Sequence, residues 1–219
     1  MSVNWFDGHN IMQAFTNFTG IAAPYYTVNI DTDKLIPHRF LRKPLSAGYR
    51  NFLFYDERFT PEGAPVAAHL LNRAPYTTAQ ILVAGPNFGC GSTREGAVYA
   101  LADFGFRAII APSFGDVFFA NCLQNGVLPV VLAESVVADL ARTLEAAPGT
   151  TLDIDLIAQT VTTPDGATHA FAIDPARKLR LVKGLDDIGI TLEFAPQIDA
   201  FETHYRARLT WLPKMERQT

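Results

Sequence analysis

The sequence predicts an α/β protein with a mixed sheet: a parallel βαβ core followed by an antiparallel hairpin. Three observations carry this. From 81 to 132, short apolar runs alternate with helix-period segments, the pattern of parallel strands joined by right-handed crossovers. From 152 to 173, apolar and polar residues alternate around Thr163-Pro164-Asp165-Gly166, a hairpin signal. Between the first core strand and its helix lies Asn87-Phe88-Gly89-Cys90-Gly91-Ser92-Thr93-Arg94-Glu95-Gly96, a glycine-bearing strand-to-helix turn.

Taken in order, residues 18–28 alternate loosely around Gly20 and Pro24 and read as short strands and turns. Asn29-Ile30-Asp31-Thr32-Asp33-Lys34 reads as a loop, and turn chemistry alone accounts for its Asn and Asp residues. Basic residues Lys34, Arg39, Arg42, Lys43 and Arg50 follow, by default a solvated face. Residues 51–80, with Pro61, Gly63, Pro65 and Pro75, form a long irregular segment of the kind used for packing and docking. In the core, strands are expected at 81–85, 107–111 and 127–132, with helices at 94–104 and 115–124. Phe118 and Phe119 suit a core or an interface, and Cys122 a small buried apolar position. An amphipathic helix at 134–146 precedes strands at 152–162 and 168–173; helices at 175–183 and about 196–208 close the chain.

The 219 residues are 48% hydrophobic and 18% charged, proportions of a soluble globular protein large enough to fold as one domain without staples. A net charge of −4 and the lack of a basic tract speak against a nucleic-acid partner. No apolar run is long enough to span a bilayer, and the start lacks the basic and apolar parts of a signal peptide. Cys90 and Cys122 are too few for a disulfide scaffold, which suggests reduced cytosol, and too few to ligate an iron–sulfur cluster.

The turn at 87–96 is the candidate site. Free amides at a helix start, with the helix dipole, seat an anion. Ser92 adds a hydroxyl there, and Arg94 a planar cation suited to a carboxylate. Ser92-Thr93-Arg94-Glu95 is equally a capping box, with Ser92 as N-cap and a purely structural role. The turn lacks the dinucleotide fingerprint, the phosphate-loop ending and the nucleophile elbow, so the residues define an anion seat and no reaction. Sites of this kind lie at the carboxyl ends of parallel strands, as do 87–94 and 112–116.

The turn also resembles the Gly-x-Gly-Ser-Ser-Arg-Glu-His motif of the mobile domain of the aconitase superfamily. Other matches follow the family's order: Val28-Asn29-Ile30-Asp31-Thr32-Asp33 with Ile36-Pro37, and Ile109-Ile110-Ala111-Pro112-Ser113-Phe114-Gly115-Asp116. They continue through Asn121, Asn125-Gly126 and Leu128-Pro129 to Gly184-Leu185-Asp186-Asp187-Ile188-Gly189-Ile190-Thr191-Leu192. Nearly end to end, the chain is similar to the family of small subunits of 3-isopropylmalate dehydratase. That resemblance implies a swivelling β/β/α domain, like the fourth domain of aconitase, over 1–219. Residues 1–14 are then a flexible extension and about 209–219 a frayed tail.

It further implies a cytoplasmic hydro-lyase of leucine biosynthesis that isomerises 2- and 3-isopropylmalate by dehydration and rehydration. The family acts as two chains, so a large subunit that holds a [4Fe–4S] cluster is the expected partner, and this chain binds no cofactor or metal itself. The substrate is a small dicarboxylic acid. Ser92 matches the serine that takes the proton, and Asp33 the aspartate that supports a histidine of the partner. Arg94 matches the arginine that clamps a substrate carboxylate, with Gly91 and Thr93 beside it. Arg39 and Arg42 both stand where the family has a further carboxylate-binding arginine. Two positions depart: Thr93 replaces the second serine and keeps its hydroxyl, and, of more consequence, Gly96 replaces the motif's histidine. That leaves open a paralogous hydro-lyase for another substituted malate or maleate, of citraconate, dimethylmaleate or homoaconitate type, or a non-catalytic anion-binding domain.

Overall fold

A computed structural model describes residues 13–91, 94–209 and 211. The chain begins with β1 (Asn17–Tyr25), two one-turn helices α1 (Thr32–Leu35) and α2 (Tyr55–Arg58), and β2 (Ile81–Ala84). Then come α3 (Gly96–Phe104), β3 (Ala108–Ala111), α4 (Asp116–Gln124), β4 (Leu128–Val131) and α5 (Glu134–Ala146). Strands β5 (Thr151–Asp155), β6 (Thr160–Thr162) and β7 (Thr168–Ala170) precede α6 (Pro175–Lys183), α7 (Asp187–Glu193) and α8 (Ala195–Arg208).

All seven strands form one mixed sheet in the order β4-β3-β2-β1-β5-β6-β7. The neighbours β1–β2, β2–β3 and β3–β4 are parallel, whereas β1–β5, β5–β6 and β6–β7 are antiparallel. The predicted α/β mixed sheet is therefore present. β1 is the seam: Ala22 pairs with Ile81 on one side, and Gly20 with Leu152 on the other. It is one nine-residue strand rather than the expected short pieces. Ladders on both edges outweigh its weak local propensity, and Pro24 stands one residue from its end, where a missing donor costs least.

The period of two sorts the strand residues onto two cores. Leu82, Ala84, Ile109 and Ala111 pack beneath Val98 and Leu101 of α3 together with Leu35, Leu53 and Phe54. Ile81, Val83, Ala108, Ile110 and Val130 pack on Val137, Leu140 and Leu144 of α5 and on Leu181 of α6. Each such valine, leucine or isoleucine side chain stabilises the fold by about 1.5–3 kcal/mol. Phe118 and Cys122 are buried and Phe119 partly so, which places the first two in the core.

The segment 51–80 lacks a named strand among the described residues and is held by a buried arginine instead. Arg58 donates to Asn72 Oδ1 at 3.0 Å and to the carbonyls of Arg50 and Leu53 at 2.9 and 3.1 Å. Asn72 returns bonds to the carbonyls of Arg58 and Val66. Side chains thus satisfy carbonyls that no ladder reaches.

Other boundaries shift for local reasons. The expected strand 152–162 is broken after β5, where Asp155 accepts from the Ala158 amide and Gln159 adopts a left-handed φ of 58°. The helix expected at 175–183 is confirmed, capped by Asp174 and ended by left-handed Gly184. Residues 187–193, to which the sequence assigned no element, form α7. The extension expected at 1–14 lies outside the described residues up to 12; of 13 and 14, Ala14 accepts from Arg107, and the next residue, Phe15, is buried. Of the expected tail, only 209 and 211 are described. No helix among the described residues is long and apolar enough to cross a membrane.

Candidate functional site

Three loops leave the carboxyl ends of β1, β2 and β3 side by side and are sewn together by hydrogen bonds. From the first loop to the second, the Asn29 amide donates to Pro86 O at 2.9 Å and Thr32 to Cys90 O at 3.0 Å. In return the Gly89 amide donates to Ile30 O at 2.7 Å. From the second to the third, Phe88 donates to Ser113 O at 3.0 Å, and the Asn87 amide to Ser113 Oγ at 2.8 Å. The Gly115 amide closes the set on Phe88 O at 2.9 Å. Asn29 and Asn87, both with φ near +60°, join side chain to side chain at 2.8 Å. Asparagine is among the few non-glycine residues that adopt this conformation readily.

Two glycines are required here. Gly89 has φ +71° and lies against the Phe118 ring, so a side chain would overlap that ring. Gly91 has φ +98° and is exposed beside Asp31 and Thr32, which brings the turn's backbone to the Asp-Thr-Asp segment. Ser92 and Thr93, two of the expected site residues, lie outside the described residues. Arg94 is exposed and precedes α3 by two residues.

The capping box is not the arrangement adopted. Helix α3 starts at Gly96 rather than at 94, and its N-cap is Glu95, whose carbonyl accepts from the Val98 amide. The Glu95 carboxylate takes the Tyr99 phenol instead. That bond and burial both raise the Tyr99 pKa, with burial the larger cause.

The Asp-Thr-Asp segment, read as a loop, contains a turn of helix. Asp31 caps α1 by accepting from the Lys34 amide at 2.7 Å. Its backbone also bridges to Cys90. Asp33, in the first turn of α1, is exposed, and its carboxylate meets no hydrogen-bond or ion-pair partner among the described residues. Gly91 is therefore a neighbour of the short segment that carries Asp33.

The two arginines that spacing could not separate differ here. Arg39 grips Asp56 with both terminal nitrogens and lies over the rings of Phe40 and Tyr55 at 4.7 and 5.3 Å. Arg42 is exposed and has no ion-pair partner among the described residues. The intervening Leu41 packs at the start of α3. A Cβ on buried Gly96 would come within 2.6 Å of Leu41 Cδ2, with Tyr49 and Ile36 behind it. The missing side chain at 96 is thus matched by Leu41 in the space it leaves.

No three His, Cys, Asp or Glu side chains among the described residues are gathered as a metal site. Cys122 is fully buried, which pushes its thiol pKa well up, and Cys90 is half-buried in the turn. These donors do not fit an iron–sulfur cluster, which needs several thiolates around one centre.

Sequence reasoning missed the groups behind α1. Lys34 Nζ lies 3.2 Å from Glu57 Oε1, and the Tyr25 phenol donates to Glu57 Oε2. His69 Nε2 is 3.8 Å from the same carboxylate. These residues are scattered over 45 positions, with no spacing that marks them.

Comparison with known proteins completes the picture. The model of the aconitase C-terminal domain matches residues 12–135, and the LeuD_N model residues 138–175. The model of the C-terminal domain of 3-isopropylmalate dehydratase small subunits matches 187–214. The 3-isopropylmalate dehydratase small subunit of Jannaschia sp. is 47% identical over 201 residues, covering 92% of this chain and 100% of the relative. That of Brevibacillus brevis is 46% identical over 191 residues, covering 87% and 98%. A crystal structure of 3-isopropylmalate dehydratase from Methanocaldococcus jannaschii aligns with a TM-score of 0.62 at 23% identity, over 84% of this chain and 99% of that one. That likeness speaks to the fold alone; the sequence relatives speak to the lineage. With its strand-end loops and its matched domains, the chain belongs to the family of 3-isopropylmalate dehydratase small subunits.

Proposed function

We propose that the chain is the small subunit of a two-chain 3-isopropylmalate dehydratase of leucine biosynthesis, interconverting 2- and 3-isopropylmalate by loss and return of water. The observation that carries this reading is the hydrogen-bonded union of the three strand-end loops, which sets the segment carrying Asp33 beside Cys90 and Gly91, ahead of Arg94. Relatives of near full length named for this enzyme favour it over a paralogous substrate. The chain acts as one swivel-type domain over 1–219, a reading supported by the single sheet that runs through its parallel and antiparallel halves.

The chemistry requires removal of a weakly acidic C–H proton while hydroxide departs. Ser92 takes the proton. A serine hydroxyl is a poor base, and backbone donors of the turn offset the charge it acquires, an effect that contributes several kcal/mol in such sites. Arg94 holds one carboxylate by its planar fork, with the Thr93 hydroxyl and the open backbone at Gly91 beside it. Arg42 holds the second carboxylate, since Arg39 is already committed to Asp56. Asp33, exposed and unpaired among the described residues, orients a histidine of the large subunit. The large subunit holds the [4Fe–4S] cluster, which when bound supplies a Lewis acid for the departing hydroxyl.

The test is an anaerobic assay of this chain mixed with a cluster-loaded large subunit, using isopropylmalate with citraconate and dimethylmaleate as comparisons. Turnover of isopropylmalate is expected only in the mixture. Ser92→Ala should still form the complex and lose at least about a hundredfold in kcat, as loss of a positioned proton acceptor does. Wild-type turnover by that variant removes Ser92 from its role, and preference for a comparison substrate overturns the substrate assignment.

A further inference from the structure

Behind the helix that carries Asp33 lies a polar cluster that the reaction as described does not use. Glu57, on α2, receives three groups from three different segments. The Lys34 ammonium lies 3.2 Å from Oε1. The Tyr25 phenol, at the end of β1, donates to Oε2. His69 Nε2 stands 3.8 Å from that same oxygen. The ring of Tyr25 packs on Phe54 with centroids 4.6 Å apart, which fixes the phenol in turn.

The histidine's proton is placed by its other nitrogen. Nδ1 accepts from the Leu71 amide at 3.1 Å, so in the neutral ring the hydrogen sits on Nε2. Nε2 is buried and has no hydrogen-bond partner of its own. It therefore aims its N–H dipole towards Glu57 from the dry side, while Lys34 approaches from the wet side, with side-chain exposures of 8% and 45%.

Helix α1 is anchored on its inner side by buried Thr32 and Leu35, and on its exposed side, which carries Asp33 and Lys34, by this pair. Four residues in one turn are far below the length at which a helix holds itself in water, on the order of 12–15 residues. Its own bonds are Leu35 N to Asp31 O, Ile36 N to Thr32 O, and the cap from Asp31. An exposed lysine–glutamate pair contributes little stability in general. Here its consequence is directional, because the inner oxygen of Glu57 is already fixed. The pair ties Lys34 to α2 and commits its ammonium to Glu57 rather than to the neighbouring Asp33.

We propose that Glu57 is a positioning residue for the reaction: by holding Lys34 against α2 it fixes the turn that presents Asp33 and keeps the ammonium from pairing with that carboxylate. This rests on the reading of Asp33 as a site residue. Tyr25 and His69 orient Glu57 and do not touch substrate.

The test uses the assembled, cluster-loaded two-chain enzyme with Lys34→Met, Glu57→Ala, the double variant, and Lys34→Arg. A displacement of this kind should lower kcat on the order of tenfold in each single variant, with KM within about twofold because Asp33 supports the partner and not the substrate's carboxylates. The double variant should be no worse than the worse single one, and Lys34→Arg, which still reaches Glu57, should restore turnover. Hydrogen exchange of this chain alone should quicken at the Lys34 and Ile36 amides and remain unchanged in β2. Normal kcat with normal exchange in Lys34→Met overturns the proposal, as do losses that multiply in the double variant. Asp33→Asn separates the two levels. If it is inactive while the Lys34 and Glu57 variants are normal, only the positioning role fails; if it is fully active, the reading of Asp33 fails and the proposal with it.

Discussion

Every residue of β2 and β3 is buried, whereas α8, fourteen residues long, has no buried residue at all. In the first region the strands are covered on both faces, by α3 and by α5, and read as continuous apolar runs. On α8 and the segments flanking it, Ile188, Leu192, Phe194, Phe201, Tyr205 and Trp211 are between 46% and 76% exposed. A helix of this length without tertiary burial is marginal in water. The sheet and its strand-end loops thus hold their geometry within this chain, and α7 and α8 draw little stability from it.

The comparison can be broken by mutation. Ile109→Ala, at a fully buried β3 position, should cost about 2–5 kcal/mol of unfolding free energy in a denaturant titration. A smaller loss than at any α8 position would refute the contrast. A second effect comes from pH and concerns the loops that support the site. Burial pushes His69 down to about 4, with Arg58 and Arg73 adding to the fall and Glu57 opposing it. Its folded pKa lies below the unfolded value, so between about 6.5 and 4 the unfolded chain binds the extra proton. Stability from this group is complete above about pH 6.5 and declines as pH falls towards 4, by up to roughly 3 kcal/mol. His69→Phe should flatten that slope in unfolding curves measured at each pH; an unchanged slope assigns it to other groups. The smallest effect belongs to Phe201→Ala, 65% exposed on α8, which should change the stability of the isolated chain by less than about 0.5 kcal/mol.

Legibility in the sequence follows the same division. The parallel core was readable because buried strands and amphipathic helices leave runs and periods at short range, as in 81–85 and 134–146. The strand-end position of the turn at 87–96 was readable for the same reason, and the resemblance supplied the chemistry proposed for it. β1 was not readable as one strand, because its two ladders come from β2 and β5, more than 50 residues away. Nor could spacing choose between Arg39 and Arg42, since the deciding partner, Asp56, lies on another helix.

By itself the sequence determined the alternation that makes a mixed α/β sheet, the glycines that open the turn, and the motif residues that name the family. Those are properties of neighbouring residues. The tertiary structure alone decided the packing of Leu41 into the space beside Gly96 and the commitment of Arg39 to Asp56. It alone assembled Tyr25, Lys34, Glu57 and His69 behind Asp33. Such pairings depend on which distant segments the sheet brings within a few ångströms, and no local pattern of side chains encodes that.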